Sequence, residues 1–287
     1  MRVDATTTEA RSILTRTCGY LKTVASHSLQ PYRGCSFGHS LCGVGCYVQH
    51  NRFITGAAAW GSFLVAKTNA ATLYREDNQR ERNWTRARGG EFSIFMSSAT
   101  DPFVPHEKIY GVTRAVLEAM LDAPPDVLIL QTHSDRITDS ADLIARLADR
   151  CRVRVHLSIE TDQEKLRGFP AHASSVEKRL RAASALRKLG VRTVVTVAPL
   201  LPISDPEAFF QRLSEVSDAV VIDHFIGGDG SKNGSRTKRT RLPELVASID
   251  EASLSLAYRD EIVTIARRVM PGRVGVGIDG FAGRLSD

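Results

Sequence analysis

The chain has no run of the roughly 18 apolar residues needed to cross a bilayer as a helix, so no membrane partner is expected. Its first residues, Met1-Arg2-Val3-Asp4-Ala5-Thr6, are polar and lack the apolar core of a secretion signal. Cysteines are scarce, five in 287 residues. An odd count with three of them clustered argues against a secreted disulfide scaffold and for a cytoplasmic protein in a reducing compartment. No second pair of closely spaced cysteines follows the first group, which leaves a structural zinc short of its usual four ligands. Aromatics make up only 7% of the chain. None interleaves the basic segment between residues 227 and 241, so that segment lacks the platforms on which bases stack. No internal repeat is present. The net charge of +6 mildly favours an anionic partner and specifies none.

What is present is concentrated between Pro31 and Tyr47. Cys35, Cys42 and Cys46 fall there, interleaved with Gly34, Gly38, Gly43 and Gly45. Thiolates are soft ligands suited to zinc or iron–sulfur clusters, and glycines let a loop wrap closely round such a centre. Three cysteines on a cubane cluster leave one iron open for a ligand, which is an enzyme's arrangement. Cys18 and Cys151 lie outside any Gly-rich loop and read as structural.

Downstream, apolar runs alternate with helical segments. Strands are expected at Leu21–Leu29, Phe92–Met96, Asp126–Leu130, Val153–Ile159, Val191–Ala198 and Ala219–Asp223. Helices are expected at Ala70–Arg82, Glu107–Leu121, Asp139–Asp149, Ser175–Leu189, Glu207–Val216 and Leu242–Val269. Such alternation implies βαβ units and a parallel sheet. The fold class is α/β, a partial (β/α)6 TIM-type barrel with mostly parallel strands. Residues 1–20 read as a lead-in, 21–225 as the barrel, and 226–287 as a basic loop with a helical extension. Sites in such sheets lie at the carboxyl ends of the strands. Polar groups stand at those ends: Ser97 to Asp101, Gln131 to Asp135, Ser158 to Thr161, Pro199 and its neighbours, and Asp223-His224.

The run Ser26-His27-Ser28-Leu29-Gln30-Pro31-Tyr32-Arg33-Gly34-Cys35 resembles the strand and cluster loop of radical S-adenosylmethionine enzymes. Within them it resembles the spore-photoproduct-lyase-like branch, whose loop opens N-P-Y-x-G-C. Thr100-Asp101-Pro102-Phe103-Val104-Pro105-His106-Glu107 is similar to that branch's T-D-P-[YF]-x-P-x-E, and Ser158-Ile159-Glu160-Thr161 to its S-[IV]-x-T. The likeness spans residues 25–225. One feature departs from it: the superfamily spaces its cysteines C-x3-C-x2-C, whereas this chain reads C-x6-C-x3-C. His39 stands near the missing position and is the lesser alternative to a third cysteine ligand.

The resemblance implies a [4Fe-4S] cluster on Cys35, Cys42 and Cys46, with S-adenosylmethionine chelating the open iron. Ser98, Thr100 and Asp101 would then take the cofactor's amino group, and Arg179 its carboxylate. Ser158 and Glu160 would reach the carboxylate or ribose, and Tyr47 and Pro199 would flank the adenine. It also implies a reductant of flavodoxin or ferredoxin type, replaceable by dithionite in vitro. The substrate stays unidentified, with an anionic molecule or a nucleic acid among the options. Plainer readings stand beside these roles. Asp101 could simply open the turn that Pro102 continues, and Arg179, next to Lys178 and Arg181, could be a solvated charge. His133 and His224 could be hydrogen-bonded structural residues. Gly89-Gly90-Glu91 is similar to the superfamily's glycine-rich triad, but it precedes a strand instead of following one and reads as a turn. The branch's hydrogen-returning cysteine has Ser98 in its place, which argues against literal photoproduct lyase chemistry. Two alternatives follow: a DNA repair lyase using another donor, Tyr47 or Tyr32, and a non-catalytic zinc- or cluster-binding protein that holds nucleic acid through its basic loop.

Overall fold

The central strands are apolar on both faces, as parallel strands covered by helices must be. Val127-Leu128-Ile129-Leu130 and Ala219-Val220-Val221-Ile222 are buried throughout. In the computed structural model, which describes residues 3–286, the strands are β1 (Asp4–Thr8), β2 (Leu14–Arg16), β3 (His27–Leu29), β4 (Tyr32–Gly34), β5 (Phe63–Lys67), β6 (Ser93–Met96), β7 (Val127–Thr132), β8 (Arg152–Ser158), β9 (Arg192–Val197), β10 (Ala219–Ile222) and β11 (Val274–Val276). The main sheet runs β11-β10-β9-β8-β7-β6-β3-β2. All its pairs are parallel except β2 with β3, and it forms a partial TIM-type barrel. A second sheet, β1-β5-β4, carries the cysteine loop between its antiparallel strands β4 and β5.

Strand parity divides the core in two. Ile94, Met96, Leu128, Leu130, Val153, Val155 and Leu157 pack outward against the helices Ala70–Arg86, Val112–Asp122 and Ala141–Ala148. Phe95, Val127, Ile129, Val194 and Val221 point to the other face and pack together with Phe281 inside the barrel. Helices Val176–Lys188, Pro206–Val216 and Leu256–Val269 cover β9, β10 and β11 through Leu180, Phe210, Ile262, Ala266 and Met270. Side chains two residues apart therefore share a face, and the inward row continues upward past each strand end.

Several elements differ from the sequence expectation. Only His27–Leu29 of the first expected strand is extended. Residues 19–23 form a 3-10 turn, because Gly19 sits at φ +55° and both Val24 and Ala25 donate their N–H to Leu21 O. The helix expected over Glu107–Leu121 breaks at Gly111, at φ +60°, where the Glu107 carboxylate accepts from the Thr113 and Arg114 amides at 3.1 and 2.9 Å. That expected from Asp139 starts at Ala141, after a 3-10 turn over Asp135–Ser140. The long helix of Leu242–Val269 splits into Leu242–Ala247 and Leu256–Val269, because Asp250 and Ser255 each cap a new start. Residues of the expected lead-in form β1 and β2, and residues of the expected extension form β11, a seventh parallel strand beside the six foreseen.

Candidate active site

The cysteine loop occupies residues 35–62, between the paired ends of β4 and β5. Its glycines are packing requirements. A Cβ on Gly43 would overlap the Gly38 carbonyl, and one on Gly38 would overlap the Gly61 backbone. Folded this tightly, the loop brings Cys35, Cys42 and Cys46 to one wall of a cavity of about 450 Å³ above the carboxyl ends of the strands. All three are free thiols. Burial pushes Cys35 up to about 12 and Cys46 up to about 11, and burial with the neighbouring Cys35 pushes Cys42 well above the usual thiol range. The backbone N–H groups of Asp101 and Phe37 act on Cys35 in the opposite sense, favouring thiolate, as do those of Val48 and Gln49 on Cys46. Ser40 Oγ lies 3.3 Å from Cys42 Sγ. Among the described residues, no three His, Cys, Asp or Glu side chains converge closely enough to chelate a single metal ion. His39 is exposed and does not line the cavity.

The β6 end lines the next part of the wall with Ser97, Ser98, Ala99, Thr100 and Asp101. Ser97 adopts φ +78°, a left-handed conformation costly for a residue with a side chain, and its buried Oγ has no hydrogen-bond partner. Tyr47 lines the cavity and donates its hydroxyl to Ser98 O at 2.7 Å. Ser98 Oγ accepts from Gln30 Nε2 at 2.8 Å, and Thr100 Oγ1 donates to Gly34 O at 2.8 Å, tying this turn to β4. Asp101 accepts from the Phe103 amide at 2.9 Å, the His133 amide at 2.7 Å and Thr132 Oγ1 at 2.8 Å, so its carboxylate clamps the β6 end to the β7 end. Pro199 lines the cavity beyond β9.

Ser158, Glu160 and Arg179 lie behind this wall, outside the cavity lining. Arg179, 1% exposed, donates to Glu160 Oε2 at 2.7 Å and to Ser158 O, and lies 2.8 Å from His172 Nδ1. It is neither a solvated charge nor a cation facing the cavity. Glu160, also 1% exposed, meets His133 Nδ1 at 2.6 Å through its other oxygen. Ser158 Oγ accepts from Gln131 Nε2 at 2.7 Å. What reaches the cavity from this layer is His133 and Gln131, held from behind. Gln131 Oε1 is buried without a partner, as is Nε1 of the cavity-lining Trp60.

The sequence placed Gln131 and Asp223 at strand ends without assigning either a role, and Tyr20 escaped it. A signal for the first two exists: counting by two along the inward row leads from Phe95 to Ser97, from Ile129 to Gln131 and His133, and from Val221 to Asp223. Tyr20 has no such signal, since the turn that carries it lies at the seam between the sheet's two edges. Its ring meets Phe281 edge-on at 6.3 Å and its hydroxyl donates to Asp223 Oδ2 at 3.1 Å. Burial pushes Asp223 up to about 7. His224 lines the cavity while its ring nitrogens meet Ser253 O and the Ile226 amide, each at 3.1 Å. Tyr32 donates to Glu107, away from the cavity. Gly89-Gly90-Glu91 forms an exposed turn before β6, at the opposite end of the sheet, where Glu91 pairs with Arg152. From the basic segment, Arg236 lines the cavity, donating to Asp229 O at 3.3 Å.

The fold has counterparts among solved structures. A spore photoproduct lyase mutant superposes with a TM-score of 0.64 at 17% identity, covering 95% of this chain and 81% of that one. A spore photoproduct lyase complexed with dinucleoside spore photoproduct superposes at 0.62 with 14% identity, over 95% and 81% of the two chains. The fold is that of spore photoproduct lyase. A mutant of that enzyme with bound AdoMet and the same dinucleoside aligns over 94% of this chain at a TM-score of 0.62 and 13% identity. By sequence, the chain is 22% identical to an uncharacterized protein of Methanocaldococcus jannaschii, over 85% of this chain and 87% of that protein. It is 27% identical to an uncharacterized protein of Mycobacterium tuberculosis, over 61% of this chain and half of the relative. No family model matches the chain.

Proposed function

We propose that the protein is a radical S-adenosylmethionine enzyme that binds a [4Fe-4S] cluster through Cys35, Cys42 and Cys46 and abstracts a hydrogen atom from a small substrate. The observation that carries this reading is the placement of three free thiols on one wall of a strand-end cavity, in the fold of spore photoproduct lyase. The residues fit the two groups. Burial holds Cys35 and Cys46 as thiols in the free protein, and the backbone N–H groups aimed at their sulfurs are placed to receive thiolate charge once a cluster supplies the counter-charge. The cavity volume falls in the ordinary range for a small-molecule site, and Ser97 Oγ, Gln131 Oε1 and Trp60 Nε1 stand on its wall or behind it without partners. A single zinc needs four ligands around one centre, whereas this wall offers three thiols, the number that leaves one iron of a cubane cluster open.

When bound, the cluster and its cofactor would supply one-electron cleavage of a carbon–sulfur bond and a 5′-deoxyadenosyl radical. The chain's own work is positioning and exclusion. Ser98 and Thr100, on the turn at the β6 end, would accept hydrogen bonds from the cofactor's amino group. Asp101 would do so only through lone pairs its present donors leave free, so its larger part is to hold that turn in place. Tyr47 and Pro199 would flank the adenine. Ser158, Glu160 and Arg179 would act through Gln131 and His133, which they orient. Phe95, Phe225 and Phe281 would keep water from the reacting atoms.

The test is assembly of the cluster under anaerobic conditions, followed by reduction and assay of 5′-deoxyadenosine. Wild type is expected to form it and Cys42→Ala is not. Tightly bound zinc with no deoxyadenosine from wild type would remove the reading.

A further inference from the structure

The protein as a whole is basic, but its cavity is not. Among the described residues that line it, Asp101, Asp223 and Asp229 face a single arginine, Arg236, which is exposed at the mouth. Two of the three carboxylates are committed. Asp101 already accepts from three neighbouring donors, and Asp229 accepts from the Ser231 amide and hydroxyl at 2.8 and 2.5 Å and from the Thr237 amide at 2.8 Å. Asp223 is different. It is 7% exposed, and its partners are the Tyr20 hydroxyl and the His224 amide, both neutral. Arg259, the cation that acts on it from a distance, is paired with Asp260 at 2.7 Å. Leu21, Phe225 and Phe281 share this end of the wall. Gly228 leaves the carboxylate its room, since a Cβ there would overlap Oδ2. A carboxylate so placed lacks a counter-charge, and its burial is costly until one arrives.

We propose that Asp223, held by Tyr20 at the seam of the barrel, is the specificity residue of this cavity and pairs with a cationic nitrogen, an ammonium or amidinium group, of a small substrate. The assignment rests on the radical reading only in leaving the cysteine end to the cofactor. An anionic group is turned away from the interior and has Arg236 at the mouth to meet it, so the basic character of the chain says little about what enters.

The test uses the reconstituted protein and two probes of similar size, benzamidinium and benzyl alcohol, with binding followed by ligand-observed NMR. Wild type is expected to favour benzamidinium by about tenfold or more, the usual weight of a hydrogen bond to a charged group. Asp223→Asn should erase that preference while unfolding as cooperatively as wild type, and Tyr20→Phe should retain it. The proposal is overturned if wild type binds no benzamidinium, if it binds both probes alike, or if the preference survives in Asp223→Asn. Displacement of benzamidinium by S-adenosylmethionine would also overturn it, making Asp223 a cofactor contact. Failure of the radical reading is seen separately, as absence of deoxyadenosine, and leaves the probe result standing.

Discussion

At Glu160 two opposing effects meet. Burial alone would raise its pKa, but the Arg179 charge, with the hydrogen bond and charge of His133, outweighs it and holds the carboxyl well below the usual carboxylate range. A depressed folded-state value means that the stability Glu160 contributes is present above its unfolded pKa and lost as pH falls toward the folded one. Wild type should therefore lose stability below about pH 5, and Glu160→Gln should show a shallower acid slope in denaturant titrations. Arg179→Met would leave a buried carboxylate without its guanidinium, at a cost of about 3–5 kcal/mol at neutral pH. A loss under 1 kcal/mol would contradict the buried pair. Asp223 runs the other way. Its folded value of about 7 against an ordinary 3.8 means that the native state is most favoured at low pH and loses stability as pH rises through 7. Relative to Asp223→Asn, wild type should lose on the order of 4 kcal/mol between pH 4 and pH 8. Equal pH profiles would contradict the burial. That the cysteines and the Ser98–Asp101 turn stand on one cavity wall was legible, because a Gly-rich loop and a strand end mark them locally. Arg179 was not, because its partners come from the next strand and a distant loop, and helix neighbours such as Lys178 say nothing of a single buried side chain.

At the scale of elements, the cysteine loop is set by close backbone contacts. Gly43→Ala would push a methyl group into the Gly38 carbonyl, so the loop must open or distort at about 1–3 kcal/mol. Iron uptake on reconstitution should fall several-fold. Gly89→Ala makes the contrast: at φ +69° with open space around it, the change should cost roughly 1 kcal/mol and leave iron uptake unaltered. If Gly89→Ala impaired uptake and Gly43→Ala did not, the glycine-rich triad before β6 would be the functional one. Element type was well marked in the sequence and element ends were not. Gly111 inside a helical pattern and the 3-10 turn at Gly19 are set by single positive-φ glycines, whose effect apolar periodicity does not register.

For the whole molecule, the final sixty residues extend the partial barrel by the edge strand β11 and pack against it. Ile262, Val263, Met270 and Val274 are buried against the β9–β10 half of the sheet, and Phe281 closes its interior. Burying four such side chains contributes roughly 6–12 kcal/mol, comparable to the 5–15 kcal/mol by which domains are stable. A chain ending at residue 225 should therefore lose its cooperative thermal transition. A sharp transition in that truncated chain would make the segment an appendage. The parallel α/β architecture was readable from alternating patterns. The seventh strand was not, because Val274-Gly275-Val276 is too short to stand out from a loop.

The most direct measurement is EPR of the anaerobically reconstituted, dithionite-reduced protein, with and without S-adenosylmethionine, alongside the deoxyadenosine assay. Wild type should give a cluster signal that changes on adding S-adenosylmethionine, and should form deoxyadenosine that Cys42→Ala does not. A protein that takes up zinc, shows no cluster signal and yields no deoxyadenosine would contradict the account.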